Sequence, residues 1–110
     1  MHIDILETNG ATIVKPVGSM DATTTAVFVT ACQDCLAKKA TKILVDLAGV
    51  EYMSSAGLRG ILTVLKASRG QGVPVAVCGL QPMVAEVFKI SGFSAMMPVH
   101  DTQEAALAAL

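Results

Sequence analysis

Ile43-Leu44-Val45-Asp46-Leu47-Ala48-Gly49-Val50-Glu51-Tyr52-Met53-Ser54-Ser55-Ala56-Gly57-Leu58 passes from an apolar run through a loop into an amphipathic pattern. Ile43 to Val45 shows no polar alternation and ends in Asp46, as a strand covered on both faces requires. Beyond the loop, Leu58, Ile61, Leu62 and Leu65 recur at i, i+3, i+4 and i+7, while Arg59, Thr63 and Lys66 take the opposite side. That spacing predicts a helix from about Ala56 to Arg69 with one buried face, stopped by Gly70. Ser55 falls at or beside its N-cap, where a hydroxyl can accept from an orphan backbone N–H. On spacing alone Ser55 is a cap. Gly57, with no side chain in the first turn, would let another surface approach the serine.

Downstream, Val73 to Cys78 reads as a second buried strand. Gln81-Pro82 opens a helix with Met83, Val84, Val87 and Phe88 inward, closing at Gly92. A short strand near Met96 to Val99 precedes a last helix, capped by the Asp101/Glu104 spacing. Upstream, Ile3 to Gly18 reads as a hairpin around Asn9-Gly10, a dipeptide that accepts positive φ in tight turns. From Asp21 as N-cap, Phe28, Cys32, Cys35 and Leu36 recur at helical spacing. The β-branched run from Thr23 to Thr30 competes as a strand, but the length and the Lys38-Lys39 end favour a helix. The expected order is ββαβαβαβα in a single domain over residues 1–110. This is an α/β class with a mixed, mainly parallel sheet, an antiparallel N-terminal hairpin and helices packed against it.

The 110 residues include 53% hydrophobic and 15% charged side chains, against about 25% charged in an average globular chain, which excludes intrinsic disorder. The longest uncharged stretch, Gly70 to Ala85, is interrupted by Gly, Gln and Pro, whereas a span needs about 20 mainly apolar residues. No direct membrane insertion is expected. Met1-His2-Ile3-Asp4 carries no basic segment before an apolar run, so no secretory signal is visible and a cytoplasmic location is expected. Cys32, Cys35 and Cys78 then fit a reducing compartment. A net charge of −1 without a Lys/Arg cluster, and only Tyr52, Phe28, Phe88 and Phe93 as aromatics, argue against nucleic acid as a partner. The mean hydropathy of +0.60 suggests that part of the surface is apolar and works by contact.

Enzymatic patterns are missing. No glycine loop leads to Gly-Lys-Ser/Thr, and Gly70-Gln71-Gly72 lacks the third dinucleotide-loop glycine and follows a helix. A nucleophile elbow at Ser55 would need glycine where Met53 stands. The histidines, His2 and His100, lie near the two chain ends, so no catalytic residue is expected. Cys32-Gln33-Asp34-Cys35 falls late in its helix on the apolar face, which favours core packing over redox chemistry. With Cys78 and two distant histidines as the remaining donors, no metal or cofactor is expected. Most methionines fill gaps; Met20 and Met53 stand out because both follow predicted strands.

With these residues in place, Asp46 to Leu58 resembles the signature of STAS domains, specifically the bacterial anti-sigma factor antagonists. Gly18-Ser19-Met20-Asp21 is similar to a second landmark of that family, and the likeness runs from about Ile3 to the C-terminus, including Val75-Ala76-Val77-Cys78-Gly79. The resemblance implies a non-enzymatic regulator that binds an anti-sigma factor of the serine-kinase type and frees a sigma factor. Phosphorylation would switch it off and a metal-dependent serine phosphatase would reset it. The implied acceptor is Ser55. Ser54, standing where many members carry Asp, is the alternative acceptor, ranked after Ser55. The implied partner-binding residues are Met20, Asp21, Met53, Ser54, Gly57, Leu58 and Arg59. The alternative is a STAS subunit of another assembly, a stress-signalling scaffold or a lipid-transport complex; a small hydrolase ranks third.

Overall fold

The computed structural model describes residues 1–8 and 10–110. Strands β1 (His2–Thr8) and β2 (Ala11–Met20) form the expected hairpin, pairing antiparallel from Thr8↔Ala11 to His2↔Val17. Gly10 takes φ +76°, while Asn9, the other half of the expected turn, lies outside the described residues. The chain continues through α1 (Thr25–Ala37), β3 (Ile43–Asp46), β4 (Val50–Met53) and α2 (Ser55–Gly70). It closes with β5 (Val75–Cys78), α3 (Pro82–Ser91), a 3₁₀ turn at Phe93–Ala95, β6 (Val99–His100) and α4 (Gln103–Ala109). The sheet order is β1-β2-β3-β5-β6, and β4 pairs with the far end of β2. Every pairing beyond the hairpin is parallel.

The expected class and the mainly parallel sheet are observed. Every residue of β3 and β5 is buried, because helices cover both faces of these strands. Their alternate side chains divide accordingly. Ile43, Val45, Val75 and Val77 face the larger core with Phe28, Ile61, Val84 and Phe88, whereas Leu44, Ala76 and Cys78 meet Ala106 of α4. Phe88 and Phe93 meet edge to face at 5.7 Å, tying α3 to the 3₁₀ turn.

Several expectations need correction. The order gains one strand, because Val50–Met53, expected as loop, pairs with β2 as β4. Asp21 does not cap α1. It heads a turn, and the helix begins at Thr25 because the threonine hydroxyls bond back to the Asp21 and Ser19 carbonyls. Met83 points outward (39% exposed), leaving Val84 and Phe88 as the buried residues of α3. Helix α2 runs through Gly70, and the left-handed residue after it is Gly72 at φ +71°. The last strand is Val99–His100, because Phe93 to Ala95 wind into the 3₁₀ turn first. Thr102, not Asp101, caps α4, its hydroxyl accepting from the Ala105 N–H at 3.1 Å.

Cys32 and Cys35 both lie in the core, and Cys32 has no exposed surface. Burial, reinforced by neighbouring Cys35, pushes the Cys32 thiol up to about 12, and burial raises Cys35 as well. A thiolate is the reactive form, so iodoacetamide at neutral pH should leave Cys32 unmodified in the native protein and label it in denaturant. Rapid native labelling of Cys32 would contradict this packing. The contribution of the neutral Cys32 thiol to stability is present below the ordinary value of 9.0 and is lost as pH rises from there through about 12.

Candidate functional site

The site is built where β2 ends. The β2–β4 ladder shifts register between Gly18 and Ser19, and Gly18 takes φ +120°, a conformation that favours glycine. The carbonyl of Met20, the last residue of β2, accepts from the Ser54 N–H at 2.9 Å and from Ser54 Oγ at 3.3 Å. The strand end thus fixes the first residue before α2. Gly57 lets the helix come this close: a Cβ there would stand 2.7 Å from the Met20 carbonyl oxygen and 2.8 Å from Met53 Cγ.

Two adjacent serines divide the work. Ser54 is the N-cap, extended at φ −89° and ψ 176°, and its Oγ accepts from the Gly57 N–H at 3.4 Å. Ser55 is the first helical residue, exposed, and its hydroxyl has no hydrogen-bond partner among the described residues. The capping role that spacing alone assigned to Ser55 therefore belongs to its neighbour. Since both bonds of the Ser54 hydroxyl are long, 3.4 Å from the Gly57 N–H and 3.3 Å to the Met20 carbonyl, Ser54→Ala should cost about 0.5–1 kcal/mol in denaturant unfolding, the low end for cap removal. A loss above about 2 kcal/mol would show that these two bonds are stronger than their lengths imply.

Asp21 stands in the turn after β2, half-buried. Its carboxylate accepts from Thr23 N at 2.9 Å, Thr23 Oγ1 at 2.7 Å and Thr24 Oγ1 at 3.3 Å. These bonds, those to Thr23 above all, hold its carboxyl below the ordinary carboxylate value. The Asp21 carbonyl takes the Thr25 N–H and hydroxyl, so the turn is tied to the start of α1. Leu58 is half-buried and Arg59 exposed on the next part of α2.

Three of the expected partner-binding residues cannot offer a surface. Met20 and Met53, 0% and 2% exposed, face each other across the β2–β4 ladder inside the core. Gly57 is buried, and the close approach it permits is internal, between α2 and the end of β2. Of the expected residues, Asp21, Ser54, Leu58 and Arg59 remain accessible. Sequence reasoning missed Tyr52, which stands 45% exposed on β4 beside Glu51. The only signal would have been a strand inside the loop, and Val50-Glu51-Tyr52-Met53 shows in-out-out-in burial instead of alternation.

No group of three or more His, Cys, Asp or Glu able to hold a metal occurs among the described residues. A groove of about 600 Å³, lined by Ile5, Glu7, Thr12, Asp34, Cys35 and Lys38 among others, lies at the opposite end of β2 from Ser55. Among the described residues no helix is long and apolar enough to cross a membrane.

The chain is 46% identical over 68 residues to a Bordetella bronchiseptica protein named as an anti-sigma factor antagonist, BtrV, covering 62% of this chain and 59% of that relative. It is 27% identical over its whole length to the anti-sigma F factor antagonist of Paenibacillus polymyxa, of which 95% is covered. In fold it is similar to a Thermotoga maritima protein described as an anti-sigma factor antagonist. There the TM-score is 0.91 at 21% identity, over 97% of this chain and 92% of that one. The STAS domain family matches residues 2–106, and with the βαβ core and the β4–α2 junction in place the chain belongs to the STAS domain family.

Proposed function

We propose that this protein is an anti-sigma factor antagonist that acts by contact and not by catalysis. Unmodified, it binds an anti-sigma factor of the serine-kinase type and so frees a sigma factor in the cytoplasm; phosphorylation of Ser55 ends that binding, and a metal-dependent serine phosphatase restores it. One observation carries this reading: the Ser55 hydroxyl is exposed at the first position of α2, while capping is left to Ser54. The names of the relatives support it. In the transfer, Ser55 Oγ forms a bond to the γ-phosphorus of ATP, the bond to the β-phosphate bridging oxygen breaks, ADP leaves, and the hydroxyl proton passes to a base or to water. The product is stable in place, because a helix N-terminus favours a phosphate by about 0.3–1 kcal/mol.

The test is incubation with ATP and a serine-kinase anti-sigma factor from the same cell, followed by peptide mass mapping. Phosphate on Ser55, lost in Ser55→Ala, is the expected result. Phosphate on Ser54 alone would place the acceptor one residue earlier. Stable binding without any phosphate transfer would favour a STAS subunit of another assembly.

A further inference from the structure

Ser55 and Arg59 leave α2 four residues apart, and both are exposed. Side chains at i and i+4 of a helix are neighbours, with Cβ atoms about 5–6 Å apart, so a long arginine spans the gap easily. Arg59 is not otherwise engaged. Among the described residues the only ion pair joins His2 to Asp4, and the first turn of α2 contains no acid. The backbone beside Ser55 is open as well. Ser54 takes the Gly57 N–H on its hydroxyl and the Leu58 N–H on its carbonyl, while the Ala56 N–H has no partner among the described residues.

We propose that a phosphoryl group on Ser55 is clamped from within the chain, by the Arg59 guanidinium one turn further along α2 and by the Ala56 N–H. The proposal rests on Ser55 being the acceptor. A guanidinium presents a planar fork of donors that matches phosphate oxygens in pairs, which an ammonium does not. The doubly ionised phosphate, with about −1.5 to −2 charges at neutral pH, gains most from the contact. Other titratable groups on neighbouring elements are Asp21 in the turn after β2, Glu51 and Tyr52 on β4, and Glu86 on α3, which packs against β4. Helix α1 offers no charged residue from Thr25 to Gln33. These groups are common to every variant compared, so their influence cancels.

Phosphoserine is installed at position 55 during translation, with no kinase involved, and the phosphorus resonance is followed against pH in the intact chain. Arg59→Gln should raise the midpoint of the second phosphate ionisation by about 0.2–0.4 unit, as expected for losing an exposed helical charge pair. Arg59→Lys should recover part of the difference and Lys66→Gln, two turns beyond Arg59, none. The difference should fade at about 1 M salt. Without phosphate, Arg59→Gln should leave the melting temperature unchanged, which separates the clamp from a structural role. Coincident titrations of the parent and Arg59→Gln, or an equal shift from Lys66→Gln, would overturn it. Since the phosphate is placed chemically, that failure is distinct from a kinase failing to modify Ser55.

Discussion

On the proposed function, the protein with phosphoserine at position 55 should bind an anti-sigma factor about 10²–10³-fold more weakly than the unmodified form, measured by calorimetry or surface-immobilised titration. The magnitude follows from desolvation. Ser55 is exposed at the start of α2, with Leu58 and Arg59 on the next turn, and a partner lying over it would have to strip water from a doubly ionised group. An uncompensated charge in a close interface costs several kcal/mol, and about 3–4 kcal/mol corresponds to that fold-change. An internal clamp by Arg59 lowers the charge only in part, and the added volume remains. Ser55→Asp, smaller and with one charge, should weaken binding less, and Ser55→Ala should preserve it. Equal affinity for the unmodified, phosphorylated and alanine forms would end the switch.

Gly57→Val should destabilise the fold by about 3 kcal/mol, the upper end for forcing volume into a packed site, and unfold the chain at correspondingly lower denaturant. Helix propensity pulls the other way, since glycine inside a helix costs about 0.8–1 kcal/mol relative to alanine. The collision wins because its nearest atom is backbone: the Met20 carbonyl oxygen would lie 2.7 Å from the new Cβ, and that carbonyl also holds Ser54. Relief requires moving α2 off the end of β2. Gly57→Ala meets the same oxygen with one carbon and should cost less. A Gly57→Val protein as stable as the parent would show that α2 is less firmly seated than the Met20–Ser54 contacts imply.

How much of this was legible in the sequence depends on how each signal is made. The buried strands and α2 were readable because continuous apolar runs and a 3.6-residue period each report burial directly. The strand β4 was not, since a ladder that slips between Gly18 and Ser19 leaves both Glu51 and Tyr52 exposed and erases the period of two. Three consecutive threonines defeated the placement of Asp21: Thr23, Thr24 and Thr25 all offer hydroxyls to nearby backbone or carboxylate, and the choice of helix start is settled only by which bonds close. Ser54 and Ser55 posed the same difficulty at the site. Either could cap, and the decision came from the Met20 carbonyl, distant in sequence. Met20 and Met53 looked like loop residues because strand ends cannot be located to a residue from apolar content, yet the ladder closes over both.

Ser55 belongs to a formed helical turn and not to an extended segment. A kinase whose groove reads unfolded peptides by their flanking side chains would find no such strip to grip, because the residues on either side are already wound or tucked beneath a neighbouring strand. If Ser55 is the acceptor proposed above, its modification would have to be directed by the contour of the intact domain, which would restrict it to enzymes that first dock on the whole protein.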